Sequence, residues 1–97
     1  MIYLEPYGYG PEPKALRIDL DGALSVWTSY GEAVAFRLAG QEATTVRRAT
    51  RNAWQAKHVD EIDGGSSAAL RRRVDPADFG RRLRIALAVA FAGECDE

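Results

Sequence analysis

Ala15-Leu16-Arg17-Ile18-Asp19-Leu20-Asp21-Gly22-Ala23-Leu24-Ser25-Val26-Trp27-Thr28-Ser29-Tyr30 is the stretch whose reading decides the fold. Leu16, Ile18 and Leu20 alternate with charged residues. Leu24 and Val26 repeat the alternation after Asp21-Gly22, and Val34, Phe36 and Leu38 repeat it after Gly31. A period of two is the pattern of strands buried on one face. Asp-Gly is a hairpin signal. A two-residue turn would pair Leu20 with Ala23 and send Leu24 and Val26 to the wrong face. A three-residue connection over 21–23 pairs Leu20 with Leu24 and Ile18 with Val26, with Gly22 left-handed or at a bulge. The same reasoning over 31–33 pairs Tyr30 with Val34 and Thr28 with Phe36. Strands are therefore expected at 15–20, 24–30, 34–39 and, after Gly40-Gln41, 43–48.

Beyond Thr50 the apolar spacing lengthens to three and four: Trp54, His58, Ile62, then Phe79, Leu83, Leu87, Phe91. That is the period of helices. The first helix is expected from a cap at Thr50 or Asn52 to about 62. Trp54, His58 and Ile62 form its inner stripe, with Ala53 and Val59 beside it. Gly64-Gly65-Ser66-Ser67 reads as a loop, and 68–73 as a short helical turn. Asp75-Pro76 marks a helix start, with Asp75 as cap and Pro76 in the first position, and the helix runs over 76–92. Its second half is apolar on most sides, so it is either buried or docked on a partner or a second copy. Residues 1–14 carry Tyr3, Tyr7 and Tyr9 among prolines and glycines. They read as an irregular arm whose tyrosines anchor it on the sheet or an edge strand. The expected class is α+β: a single domain, 1–97, with a four-stranded antiparallel meander and two main helices packed on one face.

Composition narrows the function classes. The 97 residues, 46% hydrophobic and 28% charged, suit one ordered domain. Cys95 is the sole cysteine, so no intrachain disulfide can form, which fits a reducing cytoplasm. The first residues lack the pattern of a signal peptide, and the longest apolar run, 85–93, is too short to span a bilayer. Cytoplasmic residence and no membrane partner are the expectation. The net charge of −1 hides a pattern: residues 47–84 are basic, set between acidic segments, and eleven of the thirteen cations are arginine. Guanidinium forks match phosphate and carboxylate geometry.

No catalytic signature stands out. His58 is the only histidine, and packing or capping is its expected role: a catalytic histidine needs an orienting carboxylate and a nucleophile, and although Asp60, Glu61 and Asp63 are near in sequence, Glu61 and the inward stripe diverge around the helix. No histidine, cysteine and carboxylate cluster has metal-ligand spacing, and no cofactor is expected. The chain reads as a non-enzyme. Two surfaces are candidates for binding. One is the sheet face carrying Arg17, Asp19, Ser25, Trp27, Ser29, Ala35 and Arg37, where Trp27 is either an exposed anchor or a packing residue under the N-terminal arm. The other is basic: Arg71, Arg72 and Arg73, then Arg81, Arg82 and Arg84, with Arg47, Arg48 and Arg51 at the sheet-to-helix junction, a set able to track phosphates.

Ser29-Tyr30-Gly31-Glu32-Ala33-Val34-Ala35-Phe36-Arg37, then Gly40, then Lys57-His58-Val59 resembles a family of small uncharacterised domains common in phages and other mobile elements. Their pattern is a Ser-Tyr-Gly-Thr strand with an apolar alternation, a glycine turn, and a Ser-x-Thr-Thr-x-Lys-His helix start. The likeness covers roughly residues 25–62. Glu32 stands in place of the threonine, and Asn52-Ala53-Trp54-Gln55 in place of Ser-x-Thr-Thr, where Asn52 can still cap the helix. The resemblance implies a mobile-element accessory protein that acts by binding, as anti-CRISPR inhibitors do. The expected function is a small interaction protein that sterically blocks a host defence nucleoprotein complex. The alternative is a nucleic-acid-binding accessory or regulatory protein. A homodimer through the last helix is a further expectation.

Overall fold

The computed structural model describes residues 2–7, 15–49 and 51–92. Five strands run in chain order, β1 (Ile2–Pro6), β2 (Ala15–Leu20), β3 (Leu24–Ser29), β4 (Glu32–Leu38) and β5 (Thr45–Val46), as one antiparallel sheet. Three helices follow: α1 (Ala53–Asp63), α2 (Ser67–Arg72) and α3 (Pro76–Phe91). The class is α+β. The sheet has one strand more than the alternation indicates, because Ile2–Pro6 pairs with β2. Pro6 ends that strand at an edge, where its missing N–H is tolerated. The arm's Tyr9, the alternative cap Thr50 and the tail cysteine Cys95 lie outside the described residues.

The first hairpin has the expected register, with Leu20 opposite Leu24 and Ile18 opposite Val26, and positive φ at Asp21 and Gly22. The second hairpin does not. Tyr30 and Gly31 both take positive φ, 53° and 78°, which closes a two-residue turn and pairs Ser29 with Glu32. Thr28 then faces Ala33 while Trp27 faces Ala35, so Val34 is an extra residue in β4. The bulge lets two consecutive residues of β4, Val34 and Ala35, enter the same core. Phe36 joins Leu24, Val26, Phe79 and Ala86, whereas Val34 and Ala35 join Val46 and Val59.

This division corrects the expected placement of both helices on one face. Val26 and Trp27 are neighbours on β3 and point to opposite sides. Val26 packs with Phe79 and Ala86 of α3, while Trp27 packs on the cluster containing Val59 of α1. α3 covers one face and α1 the other. In α1, capped by Asn52, the buried set is Gln55, His58 and Val59. Trp54, expected inside, is exposed with the Lys57 ammonium 4.8 Å from its ring centre. Asp75 caps α3, as the Asp-Pro signal indicates.

The far edge of the sheet is tied to the segment after α2. Val74 N–H donates to the Val46 carbonyl and Arg48 N–H to the Val74 carbonyl, both at 2.9 Å. Alongside, the buried Arg73 guanidinium donates to both Asp63 oxygens and to Asp60 at 2.7–2.8 Å. Burial alone would raise the Asp63 carboxyl, but the bonds from Arg73 and the Gly65 amide outweigh it and hold it below the usual carboxylate range. Removing one partner of a buried ion pair strands the other. Arg73→Ala should lower the unfolding free energy by about 3 kcal/mol in a urea titration at neutral pH. A carboxyl with a depressed folded pKa contributes stability above its unfolded value, near pH 4, and loses it as pH falls through the folded one. The stability gap between wild type and Asp63→Asn should therefore shrink as pH is taken from about 5 towards about 2.

Candidate functional site

Because α1 lies mainly on β4 and β5, the face beyond it is uncovered among the described residues, and the register sets out what stands there. Tyr3, Asp19, Ser25 and Arg37 form one row across four strands, and Glu5, Arg17 and Trp27 form the next. Trp27 is half-buried against the α1 side, and the Arg17 guanidinium lies over its ring, 5.5 Å from the centre. Trp27 is thus both packing residue and wall of the open surface. Arg17 is loosely engaged: Nη2 to Ser25 Oγ at 3.3 Å, Glu5 at 3.8 Å, Asp19 at 4.0 Å. Its Nε is buried with no hydrogen-bond partner. Two clefts meet at Arg17 and Asp19. One is bounded by Tyr3, Leu4 and Glu5, the other by Ser25, Arg37 and the 38–41 turn. Arg37 is exposed and in no ion pair among the described residues.

The arginine clusters do not make one surface. Arg73 is withdrawn into its pairs with Asp60 and Asp63. Arg47 and Arg51 converge on Glu32, at 3.0 and 2.8 Å. Gln55 donates to the same carboxylate and accepts from Arg47 and from the Arg51 N–H. Bonds from Arg47, Gln55 and Arg51 hold Glu32 below the usual carboxylate range. Arg51 also sits over Tyr30, 5.7 Å from the ring centre. Arg81 and Arg82 both pair with Asp78. Arg48, Arg71, Arg72 and Arg84 remain exposed and in no ion pair among the described residues. The bonds between Val74 and β5 bring Arg48 to the same edge as α2, which carries Arg71 and Arg72. Arg72 there borders a cleft of about 220 Å³ with Thr44, Val46, Ile62 and Ala69.

Sequence reasoning missed the partners of these cations. Glu32 is legible as an acidic residue in a turn, but its two arginines come from 15 and 19 residues away. It missed Ser29 as well, whose Oγ is 2.7 Å from His58 Nδ1. The pair has the spacing of a nucleophile and base, yet both side chains are sealed, at 0 and 1% exposure. Tyr30 stacks on the imidazole and Tyr7 meets its ring at an angle. The Tyr7 hydroxyl donates to the Thr28 carbonyl, and burial pushes its phenol well above the ordinary value. The three clefts described above are not lined by Ser29 or His58. The geometry is that of a packed polar contact joining β3 to α1.

Among the described residues no histidine, cysteine and carboxylate cluster could hold a metal ion, and no helix is long and apolar enough to cross a membrane. Comparisons with family models, curated proteins and solved structures find no match. Ser29→Ala leaves His58 Nδ1 in a dry site without that bond, and should lower stability by about 1–3 kcal/mol, read from the midpoint of urea unfolding.

Proposed function

We propose that the protein is a small non-enzymatic interaction protein that acts by occupying a partner's site. The open half of the sheet, with Trp27, Arg17 and Arg37, is the contact surface. The observation that carries this reading is the Arg17 guanidinium, laid on an aromatic ring between two clefts and engaged only by long contacts. An aromatic ring with an under-used arginine is the chemistry of interface hot spots. Arg37 adds a charge on the same face that is unpaired among the described residues, where it can meet phosphate or carboxylate. The mobile-element resemblance narrows the partner to a host defence nucleoprotein complex, engaged in the cytoplasm in the manner of an anti-CRISPR inhibitor.

A second reading, direct nucleic-acid binding, is favoured by the three unpaired arginines Arg48, Arg71 and Arg72 on the β5–α2 edge. Against it stand the net charge of −1 and the pairing of Arg47, Arg51, Arg73, Arg81 and Arg82 with carboxylates of the chain itself.

Two measurements separate them. The first is target-duplex binding by purified CRISPR effector complexes, with and without the protein. Inhibition that survives at about 200 mM salt and weakens tenfold or more in Arg37→Glu is the expected result. Inhibition unchanged in that variant would remove the Trp27 face from the account. The second is a mobility shift with single-stranded DNA and RNA. Affinity that falls steeply with salt, on a slope reduced when Arg48, Arg71 and Arg72 become alanine, would favour the second reading.

A further inference from the structure

We infer that two copies of this chain associate through the α3 side of the sheet, each laying α3 on the uncovered β1–β2 strip of the other. The starting observation is a mismatch of width. Strands lie about 4.8 Å apart, so five span roughly 19 Å, whereas one packed helix covers about 10 Å. α3 packs on β3 and β4, and α1 lies on the opposite face. Among the described residues, a strip one helix wide is left over β1 and β2.

That strip is apolar throughout. Register places Ile2 beside Leu20, and Leu4 beside Ile18, which in turn faces the core residue Val26. These side chains therefore share the α3 side of the sheet. Ile2 and Leu4 are 64 and 63% exposed, and Leu16 and Ile18 are half-buried. The charged residues of the two strands, Glu5, Arg17 and Asp19, alternate with them and stand on the other face.

α3 is likewise more apolar than its own sheet requires. Phe79, Leu83, Ala86, Leu87 and Ala90 pack inward. Ile85 and Val89, on a different side, are 64 and 58% exposed, and Ala88 between them is exposed too. One molecule thus carries an empty helix seat and a helix with a second apolar stripe. A two-fold axis running between the two sheets satisfies both together, with two α3 helices side by side as a middle layer, which is the self-complementarity of an isologous interface. Ile2, Leu4, Ile85 and Val89 offer on the order of 100 Å² each. Two copies then bring on the order of 800 Å² before the half-buried Leu16 and Ile18 and the rim are added, close to the roughly 1,200 Å² at which stable interfaces begin. The Trp27 face lies on the far side of each sheet and stays open, so this inference stands or falls apart from the proposed function.

Sedimentation equilibrium should give a mass that rises towards twice the chain mass as concentration is raised from about 1 to about 100 µM. Leu4→Glu and Ile85→Lys should each give the single-chain mass and a thermal melt that does not depend on concentration and matches wild type diluted until it dissociates, since both residues are exposed in the lone chain. An equal mixture of the two variants should recover the dimer, because it holds one intact helix-on-strip contact and one that sets Glu against Lys. A single-chain mass for wild type at the highest concentration overturns the proposal. So does dissociation by only one variant, which would mark an α3–α3 or a β1-edge contact, or failure of the mixture to recover.

Discussion

One extra residue in β4 governs the architecture. The Tyr30-Gly31 turn sets Ser29 against Glu32, and only by bulging Val34 can the strand return Phe36 to Val26. A regular strand would send single residues to the two faces in turn. The bulged strand sends Phe36 to α3 and both Val34 and Ala35 to α1. β4 thus becomes the shared wall of two small cores. Each fully buried large side chain in them contributes about 1.5–3 kcal/mol.

The polar contacts follow from that division. α1 is set on the second face by a short apolar contact, Val59 on Val34, Ala35 and Val46, and side-chain bonds complete the attachment. His58 meets Ser29, Gln55 meets Glu32 and Arg47, and Asp60 and Asp63 hold Arg73. Buried ion pairs of this kind add little net stability over apolar packing, but they are intolerant of losing one partner. They fix where the helix sits more than how strongly it is held. They also occupy arginines that composition alone would assign to an anionic ligand.

What remains for function is what those contacts leave unused. On the α1 side of the sheet these are the two neighbouring rows that carry Trp27, Arg17 and Arg37, with their two clefts. On the α3 side it is an uncharged strip beside a helix with apolar residues to spare. The two surfaces differ in chemistry because β1 and β2 alternate strictly, with charges on one side and aliphatic residues on the other. A polar, aromatic face suits a partner that comes and goes, and an aliphatic face suits a lasting one.

Local pattern alone determined the class, the first hairpin with its register, the Asp75 cap and the span of α3, and it narrowed the α1 cap to Thr50 or Asn52. Each depends on residues within a few positions of one another: the Asp21-Gly22 turn, a capping side chain, an apolar stripe. The irregular reading of residues 2–6 failed because strand pairing there is supplied by β2, not by the prolines nearby. The exposure of Trp54, the bulge at Val34, the placement of α1 and α3 on opposite faces, and the sorting of arginines into paired and unpaired were decided only by tertiary structure. Period and propensity report which side chains share a face. They do not report which distant carboxylate will meet a guanidinium, or which side of a sheet a helix will take, because those outcomes are set by contacts between segments that the chain brings together only on folding.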